Sequence, residues 1–206
     1  MNNELEQKNS SEPLDEGAPI GRGFFASAGI FFLEVIKIVV LAAITIFVVR
    51  SFLFKPFVVE GQSMQPNYYE REYLLIDELS YHLREPKRGE VVVLRAPIIQ
   101  KEYYLKRVIG LPGEKIKIEN NKVIIYNDEF PQGKVVEEKY LDEITTGSVS
   151  VQLGPDEYFV MGDNRNESYD SRKFGAIPKS SLIGRTWVRG YPFDRISVFQ
   201  APSYNF

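Results

Sequence analysis

The stretch "YYLKRVIGLPGEKIKIENNKVIIYN", residues 103–127, decides the fold class. Polar and apolar residues alternate through "EKIKIEN" and "KVIIYN", with β-branched side chains on the apolar positions, a period of two that belongs to strands. "GLPGE" at 110–114 and "NN" at 120–121 supply the turns between runs. The same signature recurs outward in both directions. Upstream are "FVVEG" (57–61), "EYLLIDEL" (72–79) and "EVVVLRAP" (90–97); downstream are "VSVQLG" (149–154), "YFVMG" (158–162), "LIGRTWVRG" (182–190) and "RISVFQ" (195–200), with "PQG" at 131–133 as another turn. No helical period of useful length and no internal repeat appears among them. The expectation is a mainly β fold, with one all-β domain over residues 51–206.

Ahead of that domain the pattern changes twice. "IFFLEVIKIVVLAAITIFVV", 30–49, is an apolar run of twenty residues, enough to cross a hydrocarbon layer of about 30 Å as a helix. Glu34 and Lys37 stand three apart on one helix face, where they can pair and snorkel toward an interface. The run begins too late, is too long and lacks a small-residue cleavage site before "RSFLFKPF", so it reads as a retained anchor over 30–50 instead of a cleaved leader. The segment before it is polar and acidic, with Pro and Gly and no apolar period, and reads as a disordered tail over 1–29. Lys8 and Arg22 on one flank balance Arg50 and Lys55 on the other, so charge does not set the orientation.

Composition removes several functions. A net charge of −3 gives no basic field for nucleic acid. With no cysteine and one histidine, His82, there are no disulfides, no cysteine nucleophile and no zinc site of ordinary make-up. No cofactor is expected. "GDNRNESYDSR", 162–172, fails as a calcium loop, because position 6 is Ser168 in place of Gly and position 12 is Phe174 in place of Glu. Two glycosylation triplets, at Asn9 and Asn166, carry little weight.

Three stretches remain that could carry chemistry. Ser63, in "VVEGQSMQPNYYE" (58–70), stands at the end of an expected strand shortly after the anchor; as a nucleophile it needs a base. His82 lies among charges in "LSYHLREPKRGE" and reads as an exposed histidine. Lysine serves as a base once an apolar setting strips its proton. Lys106 has such a setting, since strand alternation puts Tyr104, Lys106 and Val108 on one face and Leu105, Arg107 and Ile109 on the other. The plain alternative is a snorkelling strand lysine. The polar loop 162–172, read plainly, is solvated and held by Asx turns, but it could also supply a hydroxyl and an Asp–Arg pair to orient a lysine.

The anchor, "GQSMQP", "RGEVVVLRAP" (88–97), "YYLKRVIGLPGE" and "GDNRNESYDSR", in that order, resemble the type I signal peptidases, Ser-Lys membrane proteases that remove signal peptides. The resemblance covers nearly all of the chain after the tail. It implies that Ser63 is the nucleophile and Lys106 the general base, that Ser168 hydrogen-bonds the lysine, and that Asp170 with Arg172 supports the site. It implies that Phe57, Val59, Met64, Tyr104 and Leu105 line subsites for alanine-like residues. Signal peptides of preproteins and the lipid bilayer are the implied partners, with the protein translocation channel a further candidate and nucleic acid excluded. Localisation follows: a single-pass protein of the cell membrane, tail cytoplasmic, catalytic domain on the outer face. Where some members carry a serine two residues before the nucleophile, this chain has Gly61, and after Pro66 it reads Asn67-Tyr68 in place of Thr-Leu. The competing classes are a self-cleaving repressor, which would carry a DNA-binding domain in place of the anchor, and a silent anchored binding module, which would tolerate loss of Ser63 or Lys106.

Overall fold

The computed structural model describes residues 20–52, 54–98 and 101–206. The expected tail falls mostly on residues 1–19, outside the described residues. Helix α1 runs Ile20–Phe52 and so begins ten residues ahead of the apolar run. Its stretch Gly29–Phe47 has a mean hydropathy of 2.6 and no buried residue. Glu34 and Lys37 are both exposed on it and form no ion pair with each other. This part of the chain, to Phe47, is one compact unit; Val48–Phe206 is the other.

The second unit is built of strands, as the period-two pattern requires. In chain order these are β1 (Phe54–Val58), β2 (Tyr73–Asp77), β3 (Val91–Arg95), β4 (Tyr103–Gly110), β5 (Lys115–Glu119), β6 (Lys122–Tyr126), β7 (Lys134–Val135), β8 (Val149–Gln152), β9 (Glu157–Met161), β10 (Ile177–Pro178), β11 (Leu182–Tyr191) and β12 (Ser197–Val198). Two four-residue helices interrupt them, α2 (Ser80–Leu83) and α3 (Ser171–Phe174), each too short to show a helical period in sequence. One antiparallel sheet orders its strands β1-β2-β11-β3-β4-β9-β10, with β12 on β11; the other orders them β7-β6-β5-β8.

The alternation in 114–126 works as read. In β5 and β6, Ile116, Ile118, Val123 and Ile125 are buried while Lys115, Lys117 and Lys122 face outward. Those four pack with Ile109 of β4 and Phe159 and Met161 of β9, so one apolar cluster joins the two sheets. Each such side chain contributes roughly 1.5–3 kcal/mol by leaving water. The β5–β6 turn uses Asn120 and Asn121 at φ 50° and 60°, the left-handed region that asparagine tolerates best among residues with a side chain. A second cluster, with Val59, Met64, Leu74, Ile76, Val91 and Val93, underlies the segment after β1. A third, with Val92, Leu94, Val108, Tyr158, Val160 and Ile177, takes the opposite face of β3 and β4. Strand β4 is thus buried on both faces from Lys106 to Gly110, and a polar residue in that stretch is largely stripped of water.

Candidate active site

Ser63 sits in a tight turn between β1 and β2. Gly61 enters it at φ +80°, where a residue with a Cβ is strained, although nothing lies within 4 Å to exclude one sterically. The turn closes with Gln65 N–H donating to the Gln62 carbonyl at 3.1 Å and Tyr68 N–H donating to the Met64 carbonyl at 3.0 Å. Met64, 2% exposed, roots it in the core. From the other side, Asn164 N–H donates to the Ser63 carbonyl at 3.0 Å, which ties the turn to the loop after β9.

Lys106 of β4 is 4% exposed and lies on the Tyr104–Val108 face, as alternation requires. Its Nζ is 2.7 Å from Ser63 Oγ and donates to the Leu105 carbonyl at 3.0 Å; the Tyr104 ring centroid is 5.4 Å away. Burial pushes its pKa down from 10.5 to about 8, against the opposing pull of the Asp170 and Asp163 carboxylates. An amine that releases its proton near neutrality, in contact with a hydroxyl, has the position and the pKa that general-base chemistry requires.

The loop after β9 surrounds this pair. Asp170, fully buried, caps α3: its carboxylate accepts from Arg172 N–H at 3.1 Å, Arg172 Nε at 2.9 Å, Arg172 Nη2 at 2.8 Å and Gly162 N–H at 3.0 Å. Burial raises its pKa, but the hydrogen bonds and charge of Arg172 outweigh that and hold it below the usual carboxylate range. Ser168 is 2% exposed; its hydroxyl lies beside the Asp170 carboxylate and helps to hold that group's pKa down, and it makes no hydrogen bond to Lys106, whose amine spends its bonds on Ser63 and Leu105. A Cβ on Gly162 would collide with both Ser168 Oγ and the Ser63 carbonyl oxygen, so glycine is the one residue that lets the two approach here.

Sequence reasoning missed a buried ion pair at the next position along β4. Arg107 grips Asp163 with two parallel bonds, Nε to Oδ1 at 2.8 Å and Nη2 to Oδ2 at 2.6 Å. Their side chains are 7% and 0% exposed. Arg107 also donates to the Gly89 carbonyl at 2.8 Å and lies 4.2 Å from the Tyr140 ring centroid. Asn67 donates to Asp163 Oδ2 at 2.9 Å, so the non-standard Asn67 of the "QPNYY" turn has a job in joining the turn to the loop.

Beside the pair runs an open groove of about 710 Å³, walled by Pro56–Gly61 on one side and Lys101–Leu105 on the other. Phe57 and Tyr103 meet edge to face across it at 5.6 Å. Strand β1 is a sheet edge, and β9 pairs with β4 only from Arg107 onward, so residues 103–106 present a second unpaired edge. Phe57, Val59, Tyr104 and Leu105 line the groove, whereas Met64 lies beneath in the core. His82 is apart from all this, exposed on α2 with Nδ1 at 3.0 Å from the Glu78 carbonyl. Among the described residues no cluster of metal-binding side chains occurs.

Comparison with known proteins identifies the family. Residues 32–191 match the family model described as signal peptidase, peptidase S26. Signal peptidase I P of Bacillus subtilis subsp. natto is 35% identical over 170 residues, covering 80% of this chain and 91% of its own. Probable signal peptidase I-2 of a Synechocystis strain is 34% identical over 176 residues, covering 81% and 76%. Signal peptidase I S of Bacillus subtilis strain 168 is 34% identical over 177 residues, covering 80% and 91%. A crystal structure of a signal peptidase I from Enterococcus faecalis V583 aligns with 50% of this chain and 97% of its own at 28% identity and a TM-score of 0.43. On the extent of the family match and the identity of these relatives, the chain belongs to the signal peptidase family, peptidase S26.

Proposed function

We propose that this chain is a membrane-anchored serine endopeptidase that removes N-terminal signal peptides from exported preproteins, cutting after small residues, with Ser63 as nucleophile and Lys106 as general base. The observation that carries the proposal is the 2.7 Å approach of a buried lysine amine to a serine hydroxyl. In the neutral form Lys106 accepts the Ser63 proton as Oγ attacks the scissile carbonyl; the ammonium so formed protonates the leaving amine. Water, deprotonated by the same lysine, then hydrolyses the acyl-enzyme. No hydrogen bond among the described residues occupies the Ser63 N–H, which is free to donate to the oxyanion. Gly61 brings no side-chain donor. Asp170 and Arg172 fix the loop beside the amine, and Ser168 Oγ is available to a rotated Lys106.

An extended peptide would add to the two unpaired strand edges of the groove, with alternate side chains turned into it. Phe57, Val59, Tyr104 and Leu105 leave room there for short side chains, and Met64 sets the floor. In this reading residues 30–50 are the anchor, 51–206 the catalytic domain on the outer face, and the tail is cytoplasmic.

The test is cleavage of a purified preprotein by the full chain in detergent. Ser63→Ala, which keeps the backbone N–H and removes the reacting oxygen, is expected to abolish turnover with an unchanged circular dichroism spectrum. Retained turnover in that variant rejects the assignment.

A further inference from the structure

Arg165 takes no part in the proposed chemistry, yet its side chain is wholly buried. It donates from Nε to the Gly162 carbonyl at 3.1 Å. Its Nη1 and Nη2 take both oxygens of Glu138, at 2.7 and 2.5 Å, and Nη1 also meets Thr145 Oγ1. Its own carbonyl accepts from Arg172 Nη2 at 2.7 Å. Glu138 and Thr145 come from the segment between β7 and β8, which belongs to the smaller sheet and contributes nothing to the groove. That segment is stitched to the site elsewhere too. Asn67 donates to the Tyr140 carbonyl at 2.9 Å and Asn166 donates to Glu143 at 2.8 Å, while within the segment Tyr140 Oη donates to Glu138 at 2.9 Å.

The Gly162 peptide is therefore held at both ends. Asp170, locked by Arg172, takes its N–H; Arg165, neutralised by Glu138, takes its carbonyl. Gly162 is also where the Ser63 carbonyl and Ser168 approach too closely for any side chain. A buried guanidinium keeps its place only while a carboxylate neutralises it, because an unpaired buried charge carries a large desolvation cost.

We propose that Glu138 is a positioning residue for the reaction: through its buried pair with Arg165, the β7–β8 segment holds Gly162, and with it the loop bearing Ser168 and Asp170, against Lys106. The inference rests on the Ser63–Lys106 reading. It is confined to orientation, since Glu138 touches neither reacting side chain.

The experiment compares Glu138→Ala and Glu138→Gln with wild type, as full chains in detergent, measuring kcat and KM on a signal-peptide substrate across pH together with thermal melts. Expected for Glu138→Ala is a fall in kcat of about 10- to 100-fold, the scale of an ångström of misplacement, with KM within about twofold because the groove walls are untouched. The acid limb of kcat/KM is expected to move to higher pH. Lys106 is faced by the Ser63 hydroxyl, the Tyr104 ring and the Asp163 and Asp170 carboxylates; a loosened loop admits water beside it and weakens the desolvation that lowers its pKa. Glu138→Gln, which keeps shape and one acceptor, is expected to recover part of the loss. Activity that falls only with the folded fraction, on an unmoved acid limb, makes the pair merely stabilising and overturns the proposal, as does wild-type activity in either folded variant. Should Glu138→Ala not fold, Glu138→Gln and Thr145→Val decide by the same two readouts. Ser63→Ala runs alongside: if it stays active, the dyad reading has failed on its own account.

Discussion

At the residue scale, Lys106 as the proposed base sets a conflict between stability and activity that pH resolves. Its pKa falls from 10.5 in the unfolded chain to about 8 in the fold. Below pH 8 both states are protonated, and the fold bears the full cost of a buried ammonium. Between pH 8 and 10.5 the unfolded chain binds the extra proton, so stability rises with pH; above 10.5 the cost is gone. The shift corresponds to about 3–4 kcal/mol at most. Lys106→Met is therefore expected to melt several degrees higher than wild type at pH 7 and to lose that advantage by pH 10.5, while being inactive at both. Equal melting at pH 7 would show that the lysine is not desolvated. In the proposed mechanism the same protonation governs the wild-type rate, so kcat/KM is expected to climb with pH through an acid limb near 8. Lys106→Arg keeps a cation that cannot deprotonate and is expected to be as inactive as Lys106→Ala. An active Lys106→Arg with the same acid limb would remove lysine from the role of base.

At the scale of elements, the site is a meeting of the β1–β2 turn, strand β4 and the loop from β9 to α3, and Gly162 is where two of them touch. Gly162→Ala must part the Ser63 carbonyl from Ser168. We expect kcat to drop about 100-fold or more with KM little changed, read from steady-state kinetics on a variant shown by melting to be folded. Ser168→Ala, which removes a hydroxyl that makes no hydrogen bond to Lys106 here, is expected to be milder; the reverse order would place the chemistry in Ser168 and not in the close approach. The long strands were legible in sequence because five or more alternating residues expose a period. Strands β7 and β10, of two residues each, have none to expose. Lys106 could be singled out because its strand neighbours are apolar, but its partner is 43 residues away, and the pairing with Ser63 came from the ordered motifs alone. Arg107 and Asp163 escaped notice for a related reason: 56 residues apart, each reads singly as a solvated charge. The one available signal was the density of polar residues in "GDNRNESYDSR" directly after apolar "YFVM", which sets charges next to a strand of the core.

For the whole molecule, the proposed substrate decides which side of a membrane each part occupies. Gly29–Phe47 is 19 residues, about 28 Å of helix at 1.5 Å per residue, close to the thickness of a hydrocarbon layer. Its apolar side chains stand in the open, Phe31 62%, Leu33 67% and Phe47 67% exposed, a surface that water does not tolerate at this length and lipid does. The flanking charges balance, so the orientation must come from the proposed substrate. A signal peptide spans the bilayer during export, and its cleavage point emerges on the far side, so a protease acting there needs residues 51–206 on that side and the tail in the cytoplasm. Protease added to intact spheroplasts is expected to digest the domain, followed with an antibody to an epitope after Phe206, while a tag at the N-terminus stays protected until the membrane is broken. Protection of the domain with digestion of the tag would invert the topology. It would also deny the site its proposed substrate, whatever the purified chain cleaves in detergent.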